Sequence, residues 1–174
     1  MPHERFRFKT MQALLSKGQE LGLDIPVEND ISILARRVRI GRKETPNALA
    51  VHPMEGCDGT ADGKPDVLST RRYVRFARGG AGLLWFEATA IAPEARANPR
   101  QLLLTPENAR EFAALRGQAL AAGREANGAD YRPFTTIQLA HSGRYSRPVD
   151  RPAPSWRTTM ACWTRCTSCP RTMR

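Results

Sequence analysis

The sequence predicts an α/β fold built from parallel βα units, and three observations carry that expectation. Apolar strands begin near residues 48, 82 and 134. Amphipathic helical segments lie between them, and strands alternating with helices read as parallel crossover units. The middle strand, Ala81-Gly82-Leu83-Leu84-Trp85-Phe86, is continuously apolar rather than alternating, as in strands covered on both faces. A doubly wound sheet and a barrel both fit this order. The 174 residues suit one domain or a piece of a larger one, and 41% hydrophobic against 25% charged residues is globular rather than disordered.

Each element has a local reason. Residues 9–22 place Met11, Leu14, Leu15 and Leu21 at helical spacing, and Gly22 can end the helix. Val38-Arg39-Ile40 followed by Gly41 reads as a small hairpin. Ala48-Leu49-Ala50-Val51-His52 is expected as the first strong core strand. A polar loop from Glu55 to Asp66 carries two turn signals, Asp58-Gly59 and Asp62-Gly63. Ser69 to Arg78 reads as a helix with Tyr73, Phe76 and Ala77 on its apolar side, ended by Gly79-Gly80. Glu87 is expected to close the second strand. Thr105-Pro106-Glu107 has the signature of a helix start, with a capping Thr and Pro at the first helical position. That helix should run to about Ala122 on Phe112, Leu115, Ala119 and Leu120 and stop at Gly123. Phe134 to Leu139 is the third strand, leading into His141-Ser142-Gly143-Arg144.

The net charge of +10 points at first to nucleic acid or another anionic partner. It is unevenly spread. Residues 151–174 hold five Arg and no acid, which leaves 22 basic against 17 acidic residues in 1–150. The same tail holds three of the four Cys and two of the three Trp. No apolar run approaches the roughly 18 residues of a membrane span, and no secretory leader is visible, so a cytoplasmic protein is expected.

In parallel α/β folds the ligand lies at the carboxyl ends of the strands. Those ends are Pro53-Met54-Glu55-Gly56-Cys57-Asp58-Gly59, Glu87-Ala88-Thr89 and Gln138-Leu139-Ala140-His141. Small, polar and glycine-rich residues directly after apolar runs suit close approach to a flat ligand, with a side-chain amide free to bond its edge. Ordinary strand-to-loop exits would also look like this.

Four motifs stand in order: His52-Pro53-Met54-Glu55; Arg72-Tyr73 through Ala77-Arg78-Gly79-Gly80-Ala81-Gly82-Leu83-Leu84 with Glu87-Ala88; Asn98-Pro99-Arg100; and Gln138-Leu139-Ala140-His141-Ser142-Gly143-Arg144. Together they resemble the N-terminal part of the old yellow enzyme family, FMN-dependent NAD(P)H:flavin oxidoreductases on a TIM barrel. The resemblance implies about three βα units of a (β/α)8 barrel, incomplete, since a whole barrel takes roughly 250 residues. It implies an N-terminal helix and hairpin extension over 1–46, the partial FMN-binding barrel over 47–154, and an aberrant basic tail over 155–174. It implies that Pro53, Met54 and Glu55 line the isoalloxazine ring, that Ala88 packs near its pyrimidine edge and that Gln138 hydrogen-bonds that edge. His141 and Arg144 are substrate-pocket candidates, equally readable as a capping His and a salt-bridged structural Arg. Family members often carry Thr or Cys where Glu55 stands. A carboxylate there disfavours the anionic reduced flavin unless it is protonated or turned away.

The implied reaction takes a hydride from NAD(P)H through FMN to an activated alkene or enoyl thioester, a small-molecule substrate. The family's substrate-anchoring pair and proton donor are expected downstream, so this chain is expected to be a truncated and inactive form. Its unpaired third strand should make it poorly soluble. Read one base earlier, the codons of residues 155–174 permit an ordinary enzyme-like continuation, so a frameshift after about residue 154 is expected.

The remaining candidates have plainer readings. Cys162, Cys166 and Cys169 lack a fourth zinc ligand, and Cys57 stands alone, so no metal is expected. Asp58 to Gly63 lacks the closing Glu of a calcium loop and reads as two turns. Gly79 to Gly82 precedes a strand and is no dinucleotide fingerprint. Arg36-Arg37 and Arg71-Arg72 read as solvated faces. The alternative from another class is a small basic non-enzymatic protein whose Arg-rich tail, with Trp156 and Trp163 as stacking groups, binds nucleic acid or an acidic partner. In the enzyme reading no nucleic acid or membrane partner is expected.

Overall fold

The computed structural model describes residues 5–153. The basic tail, with its cysteines, its tryptophans and the expected frameshift, lies outside the described residues. The chain divides into two compact units, with the boundary between Ile33 and Leu34.

The first unit is organised around α1 (Met11–Glu20). Thr10 caps it, its hydroxyl accepting the Ala13 N–H at 3.2 Å. Gly22, at φ +68°, ends it in the left-handed conformation that lets the Leu23 N–H reach the Gly18 carbonyl at 2.8 Å.

The second unit begins with a hairpin, β1 (Arg39–Ile40) and β2 (Lys43–Glu44), turning at Gly41 with φ +60°. Three parallel strands follow in the order β3-β4-β5. They are β3 (Ala50–Val51), β4 (Leu83–Ala90) and β5 (Phe134–Ala140). The crossovers are α2 (Val67–Arg78) and α3 (Ala109–Asn127), so parallel βα units are what the sequence builds.

Helix α2 buries Ser69, Tyr73 and Ala77, one residue every four, against the sheet and α3. Its Asp66 cap accepts the Val67 N–H at 2.7 Å, two residues ahead of the expected start. The core is Tyr73, Ala77, Ala81, Leu84, Phe86, Leu115, Ala119 and Tyr131. Tyr73 stacks on Phe86 at 4.3 Å between centroids. A side chain as fully enclosed as Leu84 contributes roughly 1.5–3 kcal/mol by burial.

Four expectations need correction. The first strand is no strong core strand: two residues pair, and Leu49 remains 44% exposed, because β3 is an edge with only β4 beside it among the described residues. Glu87 does not close the second strand, which continues to Ala90. The register shifts between Phe86 and Ala88, making Glu87 the extra residue of a bulge. Gly123 does not stop the third helix, which runs on to Asn127 and ends at Gly128, φ +97°. Gly123 is instead a contact point: a Cβ there would lie 2.4 Å from the Tyr131 ring. At the start of α3 the cap position is Asn108, not Thr105. The Asn108 side chain clamps the preceding turn, accepting the Thr105 N–H at 2.9 Å and donating to the Leu103 carbonyl at 2.7 Å.

Candidate functional site

The loop after β3 is held from beneath by a charged network. Arg72, on α2, donates to Asp58 through both terminal nitrogens, at 2.6 and 3.2 Å, and also to the Glu87 carboxylate. Ser69 donates to the same Asp58 at 2.7 Å. The second Glu87 oxygen accepts the Gly56 N–H at 2.9 Å. Tyr73 closes the set, its hydroxyl accepting the Glu87 N–H at 2.6 Å. The bulge makes this possible, because Phe86 and Glu87, though consecutive, both reach Tyr73. Glu87 is 1% exposed and its charge is matched by Arg72. Reading Arg72 as a solvated face is therefore wrong. Its partners are 14 and 15 residues away, a separation that charge-run patterns do not register.

A second clamp sits beside the first. The Gln101 side chain, 2% exposed, donates to the Ala88 carbonyl at 3.1 Å and to the Glu55 carboxylate at 3.2 Å. Its oxygen accepts the Ala97 N–H at 2.6 Å. The buried Arg96 guanidinium donates to the carbonyls of Ala61, Pro99 and Gln101, locking that loop to the Asp62 turn. Neither Gln101 nor Arg96 stands out in the sequence. The nearest signal was Asn98-Pro99-Arg100, which lies between them.

The expected ring-wall residues come together at the carboxyl ends of three adjacent strands, about 10 Å across at ordinary strand spacing. Pro53 is half-buried and Met54 is 74% exposed. Ala88 pairs directly with Gln138 across β4 and β5. Gln138 is half-buried, and no described residue hydrogen-bonds its side-chain amide. His141 and Arg144 lie further out, both exposed. His141 accepts the Gly143 N–H at 3.0 Å through Nδ1, capping the turn. Arg144 lies over the Tyr145 ring, 4.7 Å from its centroid, and donates to its hydroxyl at 2.7 Å.

Electrostatics divide the loop's acids. Burial and the neighbouring Glu87 charge push the Glu55 carboxyl up, against the Gln101 hydrogen bond. Burial also pushes the Cys57 thiol up, helped by Glu55, Glu87 and Asp58. Burial would raise Asp58 too, but the Arg72 and Ser69 hydrogen bonds and the Arg72 charge hold it below its ordinary value. Cys57 takes a left-handed φ of 49°, and its sulfur accepts from Asn98 at 3.3 Å. Among the described residues, no group of three His, Cys, Asp or Glu is arranged to hold a metal ion. No helix among them is long and apolar enough to cross a membrane.

Near these strand ends lie the Gln138 amide, the buried Ala88 and the exposed Met54, beside a Glu55 carboxyl raised above its ordinary value. Parallel βα units define the class as α/β, and the solved structures it superposes on make it part of a TIM barrel.

Within that class the chain resembles the old yellow enzymes, in sequence and in fold. It is 37% identical over 84 residues to the NADPH dehydrogenase of Bacillus pumilus (strain SAFR-032), covering 48% of this chain and 22% of that protein. Morphinone reductase in complex with tetrahydroNAD superposes with TM-score 0.53 at 25% identity, over 65% of this chain and 28% of that one. The old yellow enzyme from Pichia sp. AKU4542 superposes with TM-score 0.57 at 21% identity, over 67% and 28%. The chain thus spans about a fifth of the curated relative's length (22%). No family model matches the chain.

Proposed function

We propose that residues 47–153 form the ring-binding wall of an FMN-dependent NAD(P)H oxidoreductase of the old yellow enzyme kind. The observation that carries this is the side-chain amide of Gln138, half-buried beside Ala88 and uncommitted to any described residue. In this reading Gln138 hydrogen-bonds the pyrimidine edge of the ring, with Ala88 leaving room beside it. Pro53 and Met54 cover part of one face, and Glu55, tethered by Gln101, bounds it. Bound there, FMN would supply hydride transfer between a nicotinamide and an activated alkene or enoyl thioester. The roles of substrate anchor and proton donor are assigned to none of the described residues. In this reading the 174-residue chain alone binds the ring weakly and without turnover. His141 and Arg144, each committed to its own turn, contribute to the pocket rim rather than to chemistry. A small-molecule substrate and a cytoplasmic location go with this reading.

The test is a flavin titration of the purified chain, followed by quenching of FMN fluorescence. Saturable quenching that Gln138→Leu weakens supports the reading. A chain that leaves FMN fluorescence unchanged at every concentration overturns it.

A further inference from the structure

The geometry points to Arg72 and Glu87 as positioning residues for the ring wall, acting together from beneath to set the course of the loop that carries Pro53, Met54 and Glu55. This rests on the flavin reading for its functional meaning but on the packing alone for its structural content.

Four observations converge. Around Cys57 the loop is anchored to α2 and β4: Gly56 through its N–H to Glu87, and Asp58 through its carboxylate to Arg72 and Ser69. Arg72 bridges both anchors, so Asp58, Gly56 and the bulge of β4 form one unit. A Cβ at Gly56 would lie 1.9 Å from an Arg72 terminal nitrogen, so any side chain there displaces the guanidinium from its place between Asp58 and Glu87. Cys57, between the two anchored residues, takes a left-handed φ uncommon for a residue with a Cβ. A backbone held in such a conformation needs surroundings that over-determine it, and the Arg72–Glu87 pair supplies them. Glu55 leaves the same backbone one residue before Gly56, so this pair sets where its backbone starts while Gln101 holds its carboxylate.

Cys57 offers a reporter independent of flavin. The full chain carrying Cys162→Ser, Cys166→Ser and Cys169→Ser leaves it as the sole thiol. Its alkylation by iodoacetamide is followed at one fixed, mildly alkaline pH. Arg72→Met tests the inference by sign. Removing a cation beside three carboxylates leaves the thiolate no better stabilised, so electrostatics alone gives an unchanged or slower reaction. A released loop lifts the burial of the sulfur and moves it away from Glu55, Glu87 and Asp58, which outweighs loss of the Asn98 hydrogen bond and speeds the reaction by roughly threefold or more for a local opening. Gly56→Ala changes no charge and should accelerate alkylation in the same way, which covers the case of an Arg72→Met chain that does not fold. Leu115→Ala, a core truncation on α3 away from this loop, controls for general destabilisation and should leave the rate unchanged. FMN affinity should fall in Arg72→Met and be partly restored in Arg72→Lys.

An unchanged or slower thiol reaction in the folded loop variants overturns the inference, and so does wild-type FMN affinity in Arg72→Met. Equal acceleration in Leu115→Ala overturns it as well. Failure of the parent chain to bind FMN overturns the proposed function instead, and the thiol rates still decide the structural assignment.

Discussion

Replacing Glu87 by Gln isolates the charge at the centre of the site. The two side chains have nearly the same volume, so the packing of a residue 1% exposed is preserved. What changes is the bonding. Glu87 accepts from Arg72 through one oxygen and from the Gly56 N–H through the other. A glutamine can accept one of these through its carbonyl but must turn an NH2 group toward the other donor. The loss is one charge-assisted hydrogen bond, plus the penalty of opposing two donors. Asp58 retains both of its bonds to Arg72, so the cation is not left unpaired. The cost should therefore fall below the roughly 3–5 kcal/mol of a buried pair broken outright, at about 2 kcal/mol. Urea unfolding followed by circular dichroism should show a lower midpoint with an unchanged slope. The same variant removes a charge that raises the Glu55 carboxyl, so the Glu55 titration, read by carboxyl carbon NMR, should move down toward its ordinary value. A loss below about 0.5 kcal/mol, within the range of ordinary surface substitutions, together with an unmoved Glu55, would refute the reasoning.

Gly123→Ala should destabilise by roughly 1–2 kcal/mol, because overpacking against Tyr131 outweighs the gain of about 1 kcal/mol in helix propensity; a stabilised chain would mean the contact is slack. Tyr131→Phe removes the donor to the Ala81 carbonyl at 2.7 Å and leaves that buried acceptor unpaired, costing roughly 1–3 kcal/mol by urea midpoint. Acid should weaken the loop after β3: the folded Asp58 value lies below its unfolded one near 3.8, so its contribution is full above that pH and lost as pH falls through the depressed folded value. Glu55 acts in the opposite sense, its contribution being lost as pH rises through its raised folded value, and the stability of Glu55→Gln against pH separates the two. The groove of about 440 Å³ lined by Phe86, Leu104, Phe112, Leu115 and Ile137, beside a β5 with one free edge among the described residues, should bind an apolar dye and promote concentration-dependent association. A sedimentation experiment giving a clean monomer at every concentration would count against that.

Much of the framework was legible because it is local. The helical stripe of Tyr73 and Ala77, the Gly79-Gly80 stop and the apolar runs of β4 and β5 are periodic features set within a few residues. From them the parallel order follows, and with it the placement of a ligand site at the strand ends. The choice of a barrel over a doubly wound sheet was not legible from periodicity, since it depends on pairings between distant strands; the motif resemblance pointed to part of a barrel, and the superposed structures agree.

The sequence by itself determined which residues lie toward the carboxyl ends of the parallel strands: Pro53, Met54 and Glu55 follow β3, and Ala88 and Gln138 pair near the ends of β4 and β5. Tertiary structure alone decided what holds them. Glu87 looked like a strand terminus and is a buried bulge residue; Arg72 looked solvated and is the bridge between two acids; Gly123 looked like a stop and is a socket for Tyr131. Gln101 was silent, although it reaches Glu55 from 46 residues away. The physical reason is common to all four. Whether a polar group is desolvated, and whether a missing Cβ is needed, depends on which surfaces meet after folding. Local sequence sets the rhythm of each surface but not its partner.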